Sequence, residues 1–572
     1  MDQVQAAAGE TEGWPYPDAA NPDLLDRIPV NARVVLDVGC GMGALGALYK
    51  RINPRAKVLG IESSPDAARV AASRLDQVAV VDVEQTPLPF ALPSGVDCLI
   101  YGDVLEHMRD PWRVMRVQME MLSPEGVMLA CVPNVEHWSM VVRLLREGWE
   151  YEKTGLLDRH HLRWFSRKTM EQALDELGLA PIDAVGRVFD AERGRDFVAK
   201  LSPALQALGV DAQGYAARAA PLQYVWRACR QKPPALNVFS TMLEPVGGVS
   251  QVRVVDPLRA LATDPSLRTR LWDGRPPVPG EPGVPRILIF HRPALTGETG
   301  LARLKEVVSP DVVVVTEFDD HPDYIPILQR KDVYNFRAVH AVQTTTRKLA
   351  EVLRAQNPEI AVFPNGVRML PAVRNFTQLP VLTLFFGSLN REEEWPPYIQ
   401  ALNAVVAAVG DRLRFEIVHD RGLFDALQTP RKNFTPMCDY ATYMNLLGRS
   451  EISFMPLGDN PFNHSKSDLK FIEAASCRVA ALASPVVYGE SVTDGRTGVL
   501  FSDAEELRGK LLAMVANPGA LRAMGDAARE WVTQHRMLAF QVGDRIAWYR
   551  SLWERRGELH AKLLERVPEL GR

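Results

Sequence analysis

Few of the 572 residues are cysteine, and the six present (Cys40, Cys98, Cys131, Cys229, Cys438, Cys477) lie far apart, with no two in a C-x-x-C pair. That spacing argues against a zinc site and against a disulfide framework, so reduced thiols and a cytoplasmic location are expected. No apolar run approaches the ~20 residues that cross a bilayer, which leaves peripheral membrane contact at most. The first thirty residues are acidic and contain proline, without the basic flank and apolar core of a secretory signal. Excess positive charge is missing too. Lys and Arg number 66 against 70 Asp and Glu, a formal charge of -4, so there is no broad basic field for a nucleic-acid backbone. No short repeat is present.

What is there reads as folded protein: 47% hydrophobic and 24% charged residues, with aromatics spread along the chain. At ~150 residues per domain the length suggests three or four domains. From Arg33 to about Val185, short β-branched runs alternate with longer helical stretches, the pattern of strands joined by crossover helices. The strands read as Val34–Val38, Val58–Ile61, Gln77–Val81, Val96–Tyr101 and Gly126–Val132. From Val188 to Pro234 the chain turns alanine-rich and helical. A second alternating series includes Arg286–Phe290, Val312–Glu317, Ala338–Gln343 and Ile360–Phe363, and Pro276–Pro285 reads as a surface loop within it. A third contains Leu382–Gly387, Arg414–Val418, Ile452–Pro456 and Val479–Ser484, and helix predominates from Ala504. The fold class is therefore α/β, with three parallel-sheet units.

Val35-Leu36-Asp37-Val38-Gly39-Cys40-Gly41-Met42-Gly43 runs from an apolar strand through a glycine turn into a helix. Glycines there let a ligand approach the backbone. The next strand ends at Glu62, 23 residues beyond Gly39, where a carboxylate can accept both hydroxyls of a ribose. A third strand ends at Asp82-Val83, and a fourth runs into Gly102-Asp103-Val104-Leu105-Glu106-His107. Together these residues resemble the class I S-adenosylmethionine-dependent methyltransferases with D-V-G-C-G-x-G and a later L-E-H. The resemblance covers about residues 30–185. It implies that Asp37, Gly39, Gly41 and Gly43 frame the amino-acid end of S-adenosyl-L-methionine, Glu62 its ribose, Asp82 and Val83 its adenine, and that Asp103 lies near the methyl group. A dinucleotide site is the alternative reading of the turn. Methyl transfer to a hydroxyl calls for a base, and His107 and His161 are the candidates, the latter from Asp158-Arg159-His160-His161. The structural alternatives are that His107 braces its loop and that His160 or His161 pairs with Asp158.

In the second half, Leu243–Ser250 carries a two-glycine turn, and Val362-Phe363-Pro364-Asn365-Gly366-Val367 suits a hinge. Phe385-Phe386-Gly387-Ser388-Leu389-Asn390-Arg391 leaves a strand for a helix. Asn463-His464-Ser465-Lys466-Ser467-Asp468-Leu469-Lys470-Phe471-Ile472-Glu473 is followed by a strand and then Gly495–Phe501. This arrangement resembles the group 1 glycosyltransferases, with the two-lobed GT-B fold, over about residues 236–540. The resemblance implies that Glu473 holds the donor ribose. Arg391, Lys466 and Lys470 would be the candidates for the diphosphate of a nucleotide-sugar donor, a UDP- or GDP-sugar, and Gly387 would border the nucleotide-bearing cleft at the strand end. That family often places another glutamate eight positions before the ribose glutamate, and here the position is Ser465. The plain alternative for Lys466 and Lys470 is a solvated helix face. His291-Arg292 and Asp319-Asp320-His321 follow strands and suit an acceptor side better than a metal site.

The expected layout is an extension (1–30), a methyltransferase domain (31–185), a helical connector (186–234), a first lobe (235–370) and a donor lobe with terminal helices (371–572). All three sheets would be Rossmann-like. The expected activity is bifunctional: methylation of a sugar hydroxyl, and sugar transfer to a glycan or lipid-linked glycan, with no metal and no nucleic acid. The rivals are a methyltransferase joined to a non-catalytic glycan- or nucleotide-binding module, and a scaffold in which both folds are vestigial.

Overall fold

The computed structural model describes residues 18–146, 148–243, 248–273, 283–374 and 381–571. Most of the Pro276–Pro285 loop, and Glu244–Gly247 of the two-glycine turn, lie outside these. Apart from two short pieces, the chain divides into one compact unit ending at Lys232 and another beginning at Pro233.

The first unit is built on a seven-stranded sheet: β1 (Val34–Val38), β2 (Lys57–Glu62), β3 (Gln77–Val80), β4 (Val96–Gly102), β5 (Leu122–Pro133), β6 (Ala180–Arg187) and β7 (Gln223–Cys229). The order is β3-β2-β1-β4-β5-β7-β6, and β7 alone runs against its neighbours, pairing antiparallel with both β5 and β6. Apolar layers cover both faces, one around Leu36, Leu99 and Met128, the other around Val35, Val58 and Leu129. Burial on two sides explains why these strands read as continuous apolar runs. The order reverses between β1 and β4, so the loops after their carboxyl ends diverge and leave a crevice.

The stretch 186–234 is not a helical connector. It supplies helices Ala191–Ala207 and Ala212–Ala219 and then β7, whose Val225 and Trp226 are 0% and 1% exposed. Buried on both faces, Tyr-Val-Trp-Arg-Ala-Cys carries no polar alternation to announce a strand.

The second unit holds two six-stranded sheets, each wholly parallel. In the first lobe β8 (Leu236–Ser240), β9 (Leu267–Leu271), β10 (Arg286–His291), β11 (Val313–Glu317), β12 (Ala341–Thr344) and β13 (Ile360–Val362) are ordered β13-β12-β11-β10-β8-β9. In the second, β14 (Leu382–Gly387), β15 (Leu413–Val418), β16 (Lys432–Thr435), β17 (Ile452–Met455), β18 (Ala480–Ala483) and β19 (Gly498–Leu500) are ordered β16-β15-β14-β17-β18-β19.

The chain crosses between lobes at Phe363–Asn365, where buried Arg253 donates to Phe363 O (2.8 Å) and to Asn365 Oδ1 (2.9 Å). Arg253 is itself held by a two-pronged ion pair with Glu317 (2.9 and 3.0 Å). The terminal helices Val542–Glu554 and Arg556–Arg566 pack on the first lobe rather than the donor lobe. Tyr549 donates to Gln343 Oε1 at 2.8 Å, Arg566 donates to Val339 O at 2.7 Å, and Arg545 lies over the Phe363 ring. Among the described residues, no helix is long and apolar enough to cross a membrane.

Candidate active sites

The turn after β1 is glycine by necessity at Gly39, Gly41 and Gly43, whose φ angles are 73°, 53° and 76°. A Cβ on Gly39 would also fall 2.6 Å from Val104 Cγ2. The Gly39 and Cys40 amides donate to Ile61 O (2.8 and 2.9 Å), fastening the turn to the end of β2. Glu62 then accepts from the Gly41 amide (2.9 Å) and the Ser64 amide (2.8 Å). Asp37 is 4% exposed, and burial, with Glu62 adding to it, lifts its carboxyl to about 7.

Asp103, just past β4, has φ 53°, a left-handed conformation that aspartate tolerates better than most residues. Its Oδ1 accepts from Gln223 Nε2 at 2.5 Å, so the reversed strand β7 reaches the site. Glu106 follows in a short 3-10 turn, Leu105–His107, and its carbonyl accepts the amides of Leu162 (2.7 Å) and Arg163 (3.0 Å). That anchorage brings His161 onto His107, ring centroids 4.9 Å apart and edge to face. His107 Nδ1 lies 3.2 Å from His160 O, and His161 Nδ1 lies 3.2 Å from Leu156 O. A carbonyl only accepts, so each Nδ1 bears the proton and each Nε2 keeps its lone pair. Burial lowers both pKa values below the ordinary histidine range, and His161 depresses His107 further. His160 instead pairs with Asp158 (2.9 Å).

A cavity of about 880 Å³ joins these groups: Asp37, Gly39, Gly41 and Glu62 share its wall with Asp103, Glu106, His107 and His161. Gly43 is off the wall, packed towards Ala71. Asp82 and Val83, the expected adenine contacts, are off it as well. Asp82 is engaged by the Glu84 amide (2.9 Å) and the Gln85 side chain (2.7 Å), and Val83 packs against the core. Glu106 was not singled out in the sequence. It is 2% exposed, its Oε2 has no hydrogen-bond partner, and burial, then Asp103, push its carboxyl well above the usual range. Glu106, His107 and His161 offer ligand atoms within 4.8 Å of one another, a set that could hold a divalent cation and that the sequence reading did not foresee.

Residues 16–184 match the family described as "Methyltransferase domain", and residues 399–541 the one described as "Glycosyl transferase-like". The chain carries a methyltransferase domain and a glycosyltransferase-like domain. It is a transferase. Among curated relatives, the ubiquinone biosynthesis O-methyltransferase of Cereibacter sphaeroides is 25% identical over 171 residues, covering 29% of this chain and 68% of the relative. Its counterpart in Azorhizobium caulinodans is 30% identical over 172 residues, covering 29% and 66%. Of solved structures, S. aureus TarM with fondaparinux, α-GlcNAc-glycerol and UDP is 12% identical over 46% of this chain at a TM-score of 0.37. This chain spans 55% of that protein. A Rickettsia africae glycosyltransferase is 13% identical, covering 56% of this chain and 99% of that one, with a TM-score of 0.39.

In the glycosyltransferase-like half, Glu473 lines one cavity, and Gly387 and Lys470 line another. Gly387 and Lys470 border a space of only about 60 Å³, room for a few waters against the ~300–1,000 Å³ of ordinary ligand sites. Lys470 Nζ donates to Tyr443 Oη (2.9 Å) and reaches Glu473 Oε2 at 3.3 Å, while Tyr443 Oη donates to the same oxygen at 3.2 Å. The carboxylate expected to hold a ribose is thus engaged on one side by its own lobe. Arg391 reaches Asn463 Oδ1 (3.4 Å) and Glu394 (3.8 Å). Lys466 lies 3.9 Å above the Phe462 ring, and burial, then the Arg391 charge, depress its pKa to about 8. Ser465 is 4% exposed and donates back to Pro461 O (3.3 Å). In the first lobe Arg292 engages Asp319 (2.6 Å) and Asp320 (2.8 Å). His291 is 3% exposed, and burial lowers its pKa to about 4.

Proposed function

We propose that the methyltransferase domain takes S-adenosyl-L-methionine and methylates a hydroxyl acceptor, and that the second unit takes a nucleotide sugar, both acting on a glycan or lipid-linked glycan in the cytoplasm. One observation carries the first half: a single cavity whose wall holds both the glycine turn with two buried carboxylates and the paired histidines His107 and His161. The donor set suits a cation. Asp37 and Glu62 face a ligand that bears a sulfonium and an ammonium better than one that bears phosphates. The cofactor supplies an electrophilic methyl group on sulfur. The protein's part is to align the acceptor oxygen with it, exclude water, and receive the hydroxyl proton on the Nε2 of His161 or His107, each held neutral by burial. Asp103, steadied by Gln223, would orient the acceptor or the methyl donor.

For the second unit, two observations favour the rival reading of a module that binds without transferring: Ser465 turns away, and Glu473 is engaged by Tyr443 and Lys470. Thermal stabilisation of the full chain by S-adenosylmethionine, S-adenosylhomocysteine, UDP, GDP and their sugar conjugates tests both halves. No shift with the methyl donor would sink the first proposal. A nucleotide shift without donor turnover would decide for the binding module.

A further inference from the structure

Glu106, His107 and His161 stand together on the wall of the methyltransferase cavity, and the fold assembles them from two distant loops. Glu106 and His107 are neighbours on the 3-10 turn Leu105–His107. The Glu106 carbonyl takes the Leu162 and Arg163 amides, which sets His161 against His107. Ligand atoms of the three side chains lie within 4.8 Å of one another. Tetrahedral ligands at ~2.1 Å from a shared ion stand ~3.4 Å apart, so small rotations about side-chain bonds close the set.

Two further observations point to a cation. Glu106 is 2% exposed, and its Oε2 accepts no hydrogen bond, an unfavourable state for a buried carboxyl oxygen. Burial, then the acidic groups that face it, Asp103 and Asp158, favour a proton on Glu106. A divalent cation displaces such a proton and satisfies the oxygen at the same time. The second observation is how the imidazoles are held. His161 Nδ1 donates to Leu156 O and His107 Nδ1 to His160 O, both at 3.2 Å. Metal-bound imidazoles almost always donate their other ring N–H to a carbonyl, a carboxylate or water, which fixes the ring and its tautomer. The other polar groups nearby are engaged elsewhere: His160 pairs with Asp158 at 2.9 Å, and Asp103 accepts from Gln223 at 2.5 Å.

We propose that Glu106, His107 and His161 bind a divalent cation of the first transition row. Two imidazoles and one carboxylate suit zinc, manganese or cobalt better than calcium or magnesium, which prefer oxygen ligands. Three protein ligands leave coordination positions open on the cavity side, as in sites that take up a substrate oxygen. A nitrogen that holds a cation takes no proton. In the loaded chain the cation therefore replaces the histidine base described above, acting by acidifying a coordinated hydroxyl. The inference rests on the geometry of the three side chains and not on the identity of the methyl donor.

Titration of the chelator-treated full chain tests it, with Zn²⁺ and Mn²⁺ followed by calorimetry and Co²⁺ by visible absorption, in wild type, Glu106→Gln, His161→Ala and His160→Ala. Glu106→Gln keeps the shape of the side chain, and a retained circular dichroism spectrum shows that each variant folds. The expected result is one cation per wild-type chain, with the absorption bands of Co²⁺ held by nitrogen and oxygen. Glu106→Gln and His161→Ala should each weaken binding by about 100-fold or more, and His160→Ala should stay within about threefold of wild type. The proposal is overturned if wild type takes up none of the three cations, if Glu106→Gln and His161→Ala bind them as wild type does, or if His160→Ala loses as much affinity as His161→Ala. A chain that binds S-adenosylmethionine but no cation overturns this proposal alone. One that binds a cation but no S-adenosylmethionine overturns only the methyl-donor reading.

Discussion

His107 and His161 meet edge to face at 4.9 Å, each with its Nδ1 proton turned onto a backbone carbonyl, His160 O and Leu156 O respectively. The pair is brought together from two distant loops, and the Glu106 carbonyl, accepting two amides of the later loop, makes the join.

Replacing His161 by Ala should lower the methyl-transfer rate by about 10²–10⁴-fold, the usual contribution of a general base, while S-adenosylhomocysteine binding stays within about twofold. Burial lowers both histidines, so activity should be full at pH 7 and fall only below pH ~6.5, the unperturbed value. A rate profile with its acid limb above neutrality would contradict the assignment.

Asp37 ionises near 7 in the folded chain, against ~3.9 when unfolded. Between those values the folded state keeps a proton that the unfolded chain has released. Its contribution to stability therefore falls as pH rises from about 4 to about 7 and does not return above that. Asp37→Asn should remove this loss, stabilising the ligand-free chain at pH 8 by up to about 4 kcal/mol and weakening S-adenosylmethionine binding. Urea denaturation at pH 5 and pH 8 would show it. An unaltered difference between the two pH values would refute the assignment.

Trp226 sits on β7 with 1% exposure. Trp226→Ala should destabilise the first unit by about 3–5 kcal/mol, the range for truncating a large buried aromatic. A change below 1 kcal/mol would mean that β7 does not pack as described.

Lys466, depressed to about 8, carries its full charge only below that value. UDP affinity should weaken as pH rises through 8 in wild type and hold steady in Lys466→Arg, whose guanidinium does not titrate there. Equal pH dependence in both proteins would remove Lys466 from the diphosphate site.

Much of this was legible in the sequence, and the exceptions share a physical cause. The strands β1, β2 and β4 announced themselves as β-branched runs ending in Gly39, Glu62 and Asp103, because the residues after such strands must turn sharply and face a ligand. β7 was hidden because a strand buried on both faces shows no alternation, and with it went Gln223, whose only signal was a polar residue opening an apolar run. Glu106 carries no local signal of a role, since nothing in its loop sequence tells that its carbonyl and carboxylate serve different ends. In the second half, short-range spacing located Glu473 and Lys470. It could not tell that Tyr443, 30 residues earlier, would reach the same carboxylate oxygen.

The position of β7 also bears on how the protein is made. The strand is synthesised last in its unit, yet it lies between β5 and β6, so both its ladders close only after Cys229 has emerged. Until then β5 and β6 present unpaired edges, and each is the kind of template on which nascent chains misassociate. A ribosome stalled shortly after residue 185 would carry the glycine turn and both histidines but no closed sheet. The methyltransferase unit must therefore mature as a block of some 230 residues, while translation of the first lobe is already under way.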